Sequence, residues 1–362
     1  MNVGTLLSEI NDVIPFDKVE SWDNVGLLIG DIQEEVNGII TTLDCTLEVV
    51  NEAVEKDCNV IIAHHPLIFK GLKSINEEGY NKIIRLLIKH NINLIAMHTN
   101  LDHYEKGVSY YISEKIGLKN PRILLPLKEK YCYLQTYVPK DNAIHLKDAL
   151  AAAGVGEIGN YKHCFYTTEG TGEFEAQNNA NPYVGNIGEV HYEDEMKIEG
   201  VLKESLSRIV IKTLIDNHPY ETPAYQIMPF EVESNFGTGI FAELEVPLTL
   251  YEFAQLVKER LQLDVVKLIG DSKSLVQNVG IIGGSGFDFY QSVKGTNVDV
   301  FLTGDIKYHE AHDLLMHQLN TLDISHYSEY VMKDGLKSIL ELMDLECRVI
   351  ASEINTDPFQ VI

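Results

Sequence analysis

Residues 38–66 read GIITTLDCTLEVVNEAVEKDCNVIIAHHP, and this pattern sets the architecture of the chain. Two short apolar runs flank a stretch with helical periodicity, which predicts a strand at 38–43, a helix at 46–56 and a second strand ending at His64. Pro66 prevents that strand from continuing. Two adjacent imidazoles therefore stand where a buried strand ends, and open α/β sheets bind ligands beyond such ends.

The same pattern continues outward along the chain. Residues 76–90 carry apolar side chains at helical spacing, residues 92–97 form another short apolar run, and His98 follows it directly. Far downstream, a third apolar run leads to His326 and Glu329. Alternating strands and helices predict an α/β fold with mixed, mainly parallel sheets covered by helices.

The composition limits the class of protein. The chain has 362 residues, of which 45% are hydrophobic, and this length predicts two or three domains. Its net charge of -25 argues against broad contact with nucleic acid or an anionic membrane surface, so an anionic small substrate would need a metal or a few lysines. The five cysteines form no C-x-x-C pair, and no apolar run reaches the roughly 18 residues of a membrane span. We therefore expect a soluble cytoplasmic protein that does not bind membranes.

The pattern changes near residue 128. Residues 131–139 alternate as a strand, 144–153 read as a helix, and 167–188 are polar and rich in glycine and asparagine. These features predict a small α+β domain with an antiparallel sheet. The α/β pattern resumes after Pro229. We expect a discontinuous α/β core at 1–127 and 232–362, interrupted by an inserted domain at 128–231.

The paired histidines indicate a metal site. Adjacent residues of a regular strand face opposite sides, so His64 and His65 are better placed beyond the strand end to hold two neighbouring ions than to chelate one. Asp102 and Glu329 are the candidates to bridge those ions, and a bridging water is the alternative. Imidazole and carboxylate without cysteine suit zinc first, with manganese or ferrous iron as alternatives. For the histidine pair alone, a surface turn with solvated rings is the competing interpretation.

Two of the candidate segments leave roles open. His98 could be an additional metal ligand, or it could orient one through a hydrogen bond, and it is the best candidate for a general acid. His326 and Glu329 are three residues apart, so a helix beginning at Ser325 would place both on one face.

Three other features have simpler readings. His309 and His312, in the segment 303–312, could form a rival metal site, but lack further ligands nearby and are read as pocket lining or capping. The run Gly-Gly-Ser-Gly at 283–286 lacks the lysine of a phosphate-binding loop and is read as a tight turn. Trp22, the only tryptophan, is read as a packing residue.

Five ordered motifs resemble one known family over nearly the whole chain. It is the family of GTP cyclohydrolase 1 type 2 homologues, also called NIF-three-like. The motifs are Trp22-Asp-Asn-Val-Gly-Leu, His64-His65-Pro, His98-Thr-Asn-Leu-Asp102, Thr303-Gly-Asp-Ile-Lys-Tyr-His and His326-Tyr-Ser-Glu329.

The resemblance implies a two-lobed α/β core with a dinuclear divalent-metal site whose ligands are His64, His65, Asp102, His326 and Glu329. It also implies that residues 128–231 form a ferredoxin-like domain similar to PII and CutA, and that the chains assemble as toroidal homohexamers. The implied activity is metal-dependent hydrolysis of a small nucleotide-like substrate, with a non-catalytic, ligand-sensing regulator as the alternative. One departure is the segment 103–107, His-Tyr-Glu-Lys-Gly, where the family often has Gly-Gly-Val.

Overall fold

The structure, a computed structural model, describes residues 1–362. They fall into two compact units, Met1–Leu127 with Asn235–Ile362, and Lys128–Ser234. The α-helices are α1 (Val3–Val13), α2 (Leu47–Glu55), α3 (Asn81–Lys89), α4 (Thr99–Asp102), α5 (Val108–Ile116), α6 (Ala143–Ala152), α7 (Ser207–Asn217), α8 (Leu250–Arg260), α9 (Tyr290–Lys294), α10 (Tyr308–Met316) and α11 (Val331–Glu341). No helix combines the length and the apolar character that a membrane crossing requires.

The strands lie in two sheets, which confirms the predicted mixed α/β class. They are β1 (Gly26–Ile29), β2 (Gly38–Thr42), β3 (Val60–Ala63), β4 (Asn93–Ala96), β5 (Lys119–Pro139), β6 (Phe165–Glu175), β7 (Val190–Lys203), β8 (Tyr225–Thr249), β9 (Lys267–Ile269), β10 (Leu275–Ile281), β11 (Val300–Thr303), β12 (Thr321–Asp323) and β13 (Arg348–Ala351). Short 3₁₀ helices occupy Lys140–Asn142, Glu204–Leu206, Phe287–Phe289 and His326–Tyr330.

The larger unit contains a five-stranded sheet in the order β1-β4-β3-β2-β13. Four of its strands are parallel and β1 is antiparallel. Strands β2, β3 and β4 are buried along their whole length, as expected for a parallel sheet covered on both faces. Ile40, Ile61 and Leu94 pack against α2 and α3, while Ile39, Ile62 and Ile95 belong to the opposite core.

That second core also contains the apolar side chains of the other sheet of this unit, whose strands follow the order β8-β10-β11-β12-β9. The central pairs β10/β11 and β11/β12 are parallel, and the flanking pairs are antiparallel. Helices α5, α8 and α11 contribute to the same core through buried side chains such as Ile112, Phe253 and Leu336. The carboxyl ends of β3, β4 and β12 lead to the predicted histidines.

The smaller unit follows the order β5, α6, β6, β7, α7, β8, and its strands lie in the order β6-β7-β5-β8. Both helices pack on one face, where Leu146, Leu150, Val210 and Leu214 share a core with the sheet. The polar stretch predicted at 167–188 begins with strand instead, because β6 pairs with β7 from Phe165 to Glu175. The side chains of β6 are polar and largely exposed, but pairing along the hairpin satisfies the hydrogen-bonding groups of its backbone.

A glycine permits the close approach of two turns beside α4. A Cβ at Gly107 would collide with the carbonyl oxygen of Leu101, next to Asp102. We therefore expect Gly107→Ala to lower the free energy of unfolding by about 1–3 kcal/mol, because backbone must move to make room. Gly170→Ala is the control, since a Cβ there meets nothing within 4 Å. Denaturant unfolding measures both, and equal losses of stability would contradict the packing argument.

Candidate metal centre

His64 and His65 extend β3 by two residues before the chain turns away. Their backbone N–H groups still donate to the carbonyl oxygens of Thr42 and Leu43, at 3.1 and 3.0 Å. The side chain of His64 is buried, and that of His65 is about one quarter exposed, at 24%. Two adjacent imidazoles are thus held at the carboxyl end of the sheet by regular strand pairing.

His64 has one nitrogen committed and one without a partner. Its Nδ1 donates to the carbonyl oxygen of Met97 at 2.8 Å, which leaves the lone pair on Nε2. That Nε2 is buried and forms no hydrogen bond. It faces the Asp102 carboxylate at 3.7 Å and the Glu329 carboxylate at 3.9 Å. A buried acceptor facing two carboxylate oxygens is the arrangement that a divalent cation would complete.

His98 and Asp102 are brought to the same place by the short helix α4. His98 stands immediately before its first residue and Asp102 is its last, so both side chains come from one helical turn. The ring centroid of His98 lies 5.3 Å from that of His64 and 5.7 Å from that of His65. The side chain of Asn100, in the same turn, is also buried without a hydrogen-bond partner.

His326 and Glu329 lie on the 3₁₀ helix that follows β12. Ser325 precedes it with φ 66° and its side chain accepts a hydrogen bond from the Tyr327 N–H, as expected of a capping residue. The Glu329 Oε2 lies 3.2 Å from His326 Nε2 and 3.0 Å from His65 Nε2. One carboxylate oxygen therefore faces histidines from two distant segments.

The six predicted residues form three overlapping groups, each with ligand atoms within 4.8 Å of one another. The groups are His64/His65/His98, His65/His326/Glu329 and His64/Asp102/Glu329. Two ligands on one ion with bonds of about 2.0–2.2 Å lie roughly 3–3.5 Å apart, so separations of 3.0–3.9 Å need little adjustment. The donor set therefore fits a divalent metal.

Three aspartates that the sequence reasoning did not assign hold the histidines in orientation. Asp44 accepts from His65 Nδ1 at 2.7 Å, Asp23 from His98 Nδ1 at 2.9 Å, and Asp305 from His326 Nδ1 at 2.7 Å. Carboxylates bonded to the distal nitrogen of a metal-binding histidine fix its tautomer and its direction. Asp23 and Asp305 lie within two of the five family motifs, and this membership is the sequence signal that could have identified them.

The carboxylates also determine the charge state of the imidazoles. Burial opposes protonation of His65, but hydrogen bonds with Asp44 and Glu329 outweigh it and raise its pKa from 6.5 to about 10. The hydrogen bond with Glu329 raises the pKa of His326 to about 9, against the effect of burial. Burial likewise opposes ionisation of Glu329, yet its contacts with the Nε2 atoms of His326 and His65, together with the charge of the nearby His64 ring, hold its pKa well below 4.5. The cluster thus pairs buried negative and positive charges.

The glycine run at 283–286 touches the cluster. Gly284 has φ +59°, and a Cβ there would lie 2.7 Å from Glu329 Oε1, so a glycine lets this turn approach the carboxylate. His309 and His312 are absent from the ligand groups. Their rings instead flank the exposed Tyr308, at centroid distances of 5.4 and 4.9 Å.

Comparison with known families identifies one match along the chain. The family model described as Duf34/NIF3 (NGG1p interacting factor 3) matches residues 1–358. A Staphylococcus epidermidis protein named GTP cyclohydrolase 1 type 2 homolog is 46% identical, over 99% of this chain and 100% of its own length. A Staphylococcus aureus protein of the same name is 47% identical over all of both chains.

Two solved structures resemble the whole chain. Staphylococcus aureus protein SA1388 aligns with a TM-score of 0.87 and 44% identity, covering 100% of this chain and 99% of its own. A Bacillus cereus protein related to NIF3 aligns with a TM-score of 0.75 and 36% identity, with the same coverage. The similarity thus extends over the segments that carry the candidate metal ligands and over the smaller unit alike.

Proposed function

Since the chain belongs to the Duf34/NIF3 family, we propose that its histidine and carboxylate cluster is a dinuclear divalent-metal centre that hydrolyses a small nucleotide-like substrate. The observation that carries this proposal is Glu329, which is shared between the His65/His326 group and the His64/Asp102 group. One ion would be held by each group, with Glu329 bridging. Zinc is the first candidate, and iron or manganese are alternatives.

Each residue of the cluster would have a separate role in this reaction. Two divalent ions would supply a water acidic enough to attack near neutral pH. Asp44 and Asp305 would keep the Nε2 atoms of His65 and His326 aimed at the centre, and Met97 would do so for His64. His98, with Nδ1 bound to Asp23, would offer Nε2 either as a further ligand or as a proton carrier.

Metal loading should release protons. With pKa values of about 10 and 9, His65 and His326 are protonated near pH 7.5 in protein freed of metal, whereas an imidazole must be neutral to bind an ion. We expect two or more protons released per chain, because burial also raises the pKa of the Asp102 carboxyl, and affinity that rises with pH until about pH 9–10. Calorimetric zinc titration in buffers of different ionisation enthalpy measures the release. Heats independent of the buffer would contradict it.

The relatives' printed name suggests guanosine triphosphate as the first substrate to test. Zinc-, manganese- and iron-loaded protein should open the guanine ring of GTP. The loss of the guanine ultraviolet spectrum and chromatography of the products would both measure this reaction. Chelated protein and Asp102→Ala should both be inactive, because the variant removes a ligand of one ion. Fully loaded protein that consumes no substrate in a broad nucleotide screen would overturn the hydrolase proposal.

The smaller unit supports a second candidate function, a metal-binding regulator with a ligand-sensing domain. We propose that the inserted domain expected at 128–231, which lies within the compact unit Lys128–Ser234, is ferredoxin-like and similar to PII and CutA. Its β-α-β-β-α-β order supports this assignment. A cavity of about 640 Å³ lies within this unit, lined by aromatic side chains including Tyr137, Phe174, Tyr183 and Tyr220. A cavity of this size suits a small molecule.

We further propose that the chains assemble in the cytoplasm as toroidal homohexamers. The family resemblance supports the assembly, and the scattered cysteines, none of them in a disulfide, support a reducing compartment. Light scattering should give about six times the chain mass of 40.8 kDa. A mass equal to that of one or two chains would contradict the hexamer.

A further inference from the structure

Two large aromatic side chains lie exposed beside the metal-ligand cluster. Trp22, the only tryptophan, is 57% exposed, and Phe69 is 44% exposed. Their ring centroids are 5.7 Å apart at an interplanar angle of 43°. Trp22 was read from the sequence as a packing residue, but more than half of it faces solvent. Exposed aromatic surface next to a polar centre is typical of ligand-binding sites.

Two contacts fix the segment that carries Trp22 to the cluster. The Trp22 ring lies 6.1 Å from the His98 ring in an edge-on arrangement. Asp23, the next residue, accepts hydrogen bonds from His98 Nδ1 and from the Thr99 backbone and hydroxyl. The segment that carries Trp22 is therefore anchored at the histidine it touches.

A second hydrogen bond joins the two segments to each other. The Asn24 side chain donates to the carbonyl oxygen of Ile68 at 2.6 Å, directly before Phe69. Both aromatic residues are thus held by hydrogen bonds of their neighbours. Such preorganisation reduces the entropy cost of binding a ligand.

The segment that carries Phe69 also carries unpaired positive charge. Lys70 and Lys73 are exposed, and neither forms an ion pair. In a chain of net charge -25, two exposed lysines within four residues of Phe69 are a local exception. They would attract an anion that the rest of the surface repels.

We propose that Trp22 and Phe69 stack the planar ring of the substrate while Lys70 and Lys73 bind its phosphate groups. The ligand class is a nucleoside phosphate, since it combines an aromatic base with negative charge. This inference rests on the proposed function of the adjacent centre, because it names the part of the substrate that lies outside the metal ligands. Any base can stack on an aromatic side chain, so Trp22 and Phe69 would contribute affinity for the nucleotide but no specificity for one base.

The sole tryptophan makes binding directly measurable. Guanosine monophosphate added to zinc-loaded protein should quench the emission of Trp22, after correction against free tryptophanamide, whereas ribose 5-phosphate and inorganic phosphate should not. Phe69→Leu and Lys70→Gln/Lys73→Gln should each weaken guanosine monophosphate binding about tenfold. Lys82→Gln/Lys89→Gln is the matched control, because it removes equal charge from the exposed face of α3 and should leave binding unchanged.

Several outcomes would overturn the inference. The first is the absence of Trp22 quenching at millimolar nucleotide, and the second is a nucleotide affinity of Phe69→Leu equal to that of the natural sequence. The third is Trp22 emission that changes with protein concentration and not with ligand concentration, which would mean that a second copy of the chain covers the pair. The two proposals fail separately. Turnover with an unchanged KM in Phe69→Leu refutes stacking and leaves the hydrolase intact, whereas quenching without any turnover refutes the hydrolase and supports the binding site.

Discussion

Glu329→Gln should bind fewer than about one divalent ion per chain, whereas the natural sequence should bind about two. Glu329 is the only residue shared by the His65/His326 and His64/Asp102 groups, so both of the proposed ions would depend on its charge. Asp102→Asn should lose one ion and retain the other, because the His65/His326/Glu329 group stays complete. Elemental analysis of protein purified without chelator gives the stoichiometry, and zinc titration gives the affinities.

Glu52→Gln provides a matched control for Glu329→Gln. Glu52 is also a buried glutamate of the larger unit, and it accepts hydrogen bonds from Ser352 and the Glu353 backbone and pairs with Lys56. Its substitution should lower stability and leave metal content unchanged. If Glu329→Gln and Asp102→Asn lose the same number of ions, Glu329 does not bridge.

The second large effect concerns Asp305, which belongs to none of the candidate ligand groups. Asp305→Asn should weaken the binding of one ion by roughly 10–100-fold. Its carboxylate holds His326 Nδ1 at 2.7 Å, and the amide would keep the shape but lose the charge that strengthens the imidazole as a ligand. Asparagine also tolerates the left-handed backbone of this position, φ 58°, so the fold should be unaffected.

The control for Asp305→Asn is Asp313→Asn, an equal change of charge on the exposed face of α10. Zinc titration monitored by calorimetry distinguishes the two, and circular dichroism checks the fold. Equal zinc affinity in Asp305→Asn and the natural sequence would show that His326 is not a ligand, or that its orientation does not matter.

The metal-ligand segments could be predicted because they follow a local rule. Apolar runs of four to six residues end in histidine at His64 and His98, and parallel strands bring their carboxyl ends to one edge. The same rule leads from β12 to His326 and Glu329. Periodicity and strand ends thus contain enough information to place these side chains near each other.

The orienting aspartates could not be predicted by that rule. Asp23 precedes β1 and lies 75 residues from His98, and Asp44 lies 21 residues from His65. Their contacts depend on which strands are neighbours in the sheet, and periodicity does not encode neighbour order. The exposure of Trp22 was missed for a similar reason, because a lone aromatic residue carries no pattern that says which face of a loop it occupies.

The length of the strands was the other feature that local sequence patterns could not predict. Strand β8 runs from Tyr225 to Thr249 through Pro229, where the sequence suggested a boundary. Proline lacks a backbone N–H and usually marks a strand end, but a strand tolerates it where no ladder hydrogen bond is donated. Local composition therefore located the change from the α+β pattern to the α/β pattern, but it did not reveal that one strand runs through this boundary.

Anomalous X-ray scattering at the absorption edge of the bound metal tests the central claim most directly. The account predicts two peaks about 3.5–4 Å apart, one beside His65 and His326 and the other beside His64 and Asp102, with Glu329 between them. A single peak, or two peaks that do not share Glu329, would contradict a bridged two-metal centre.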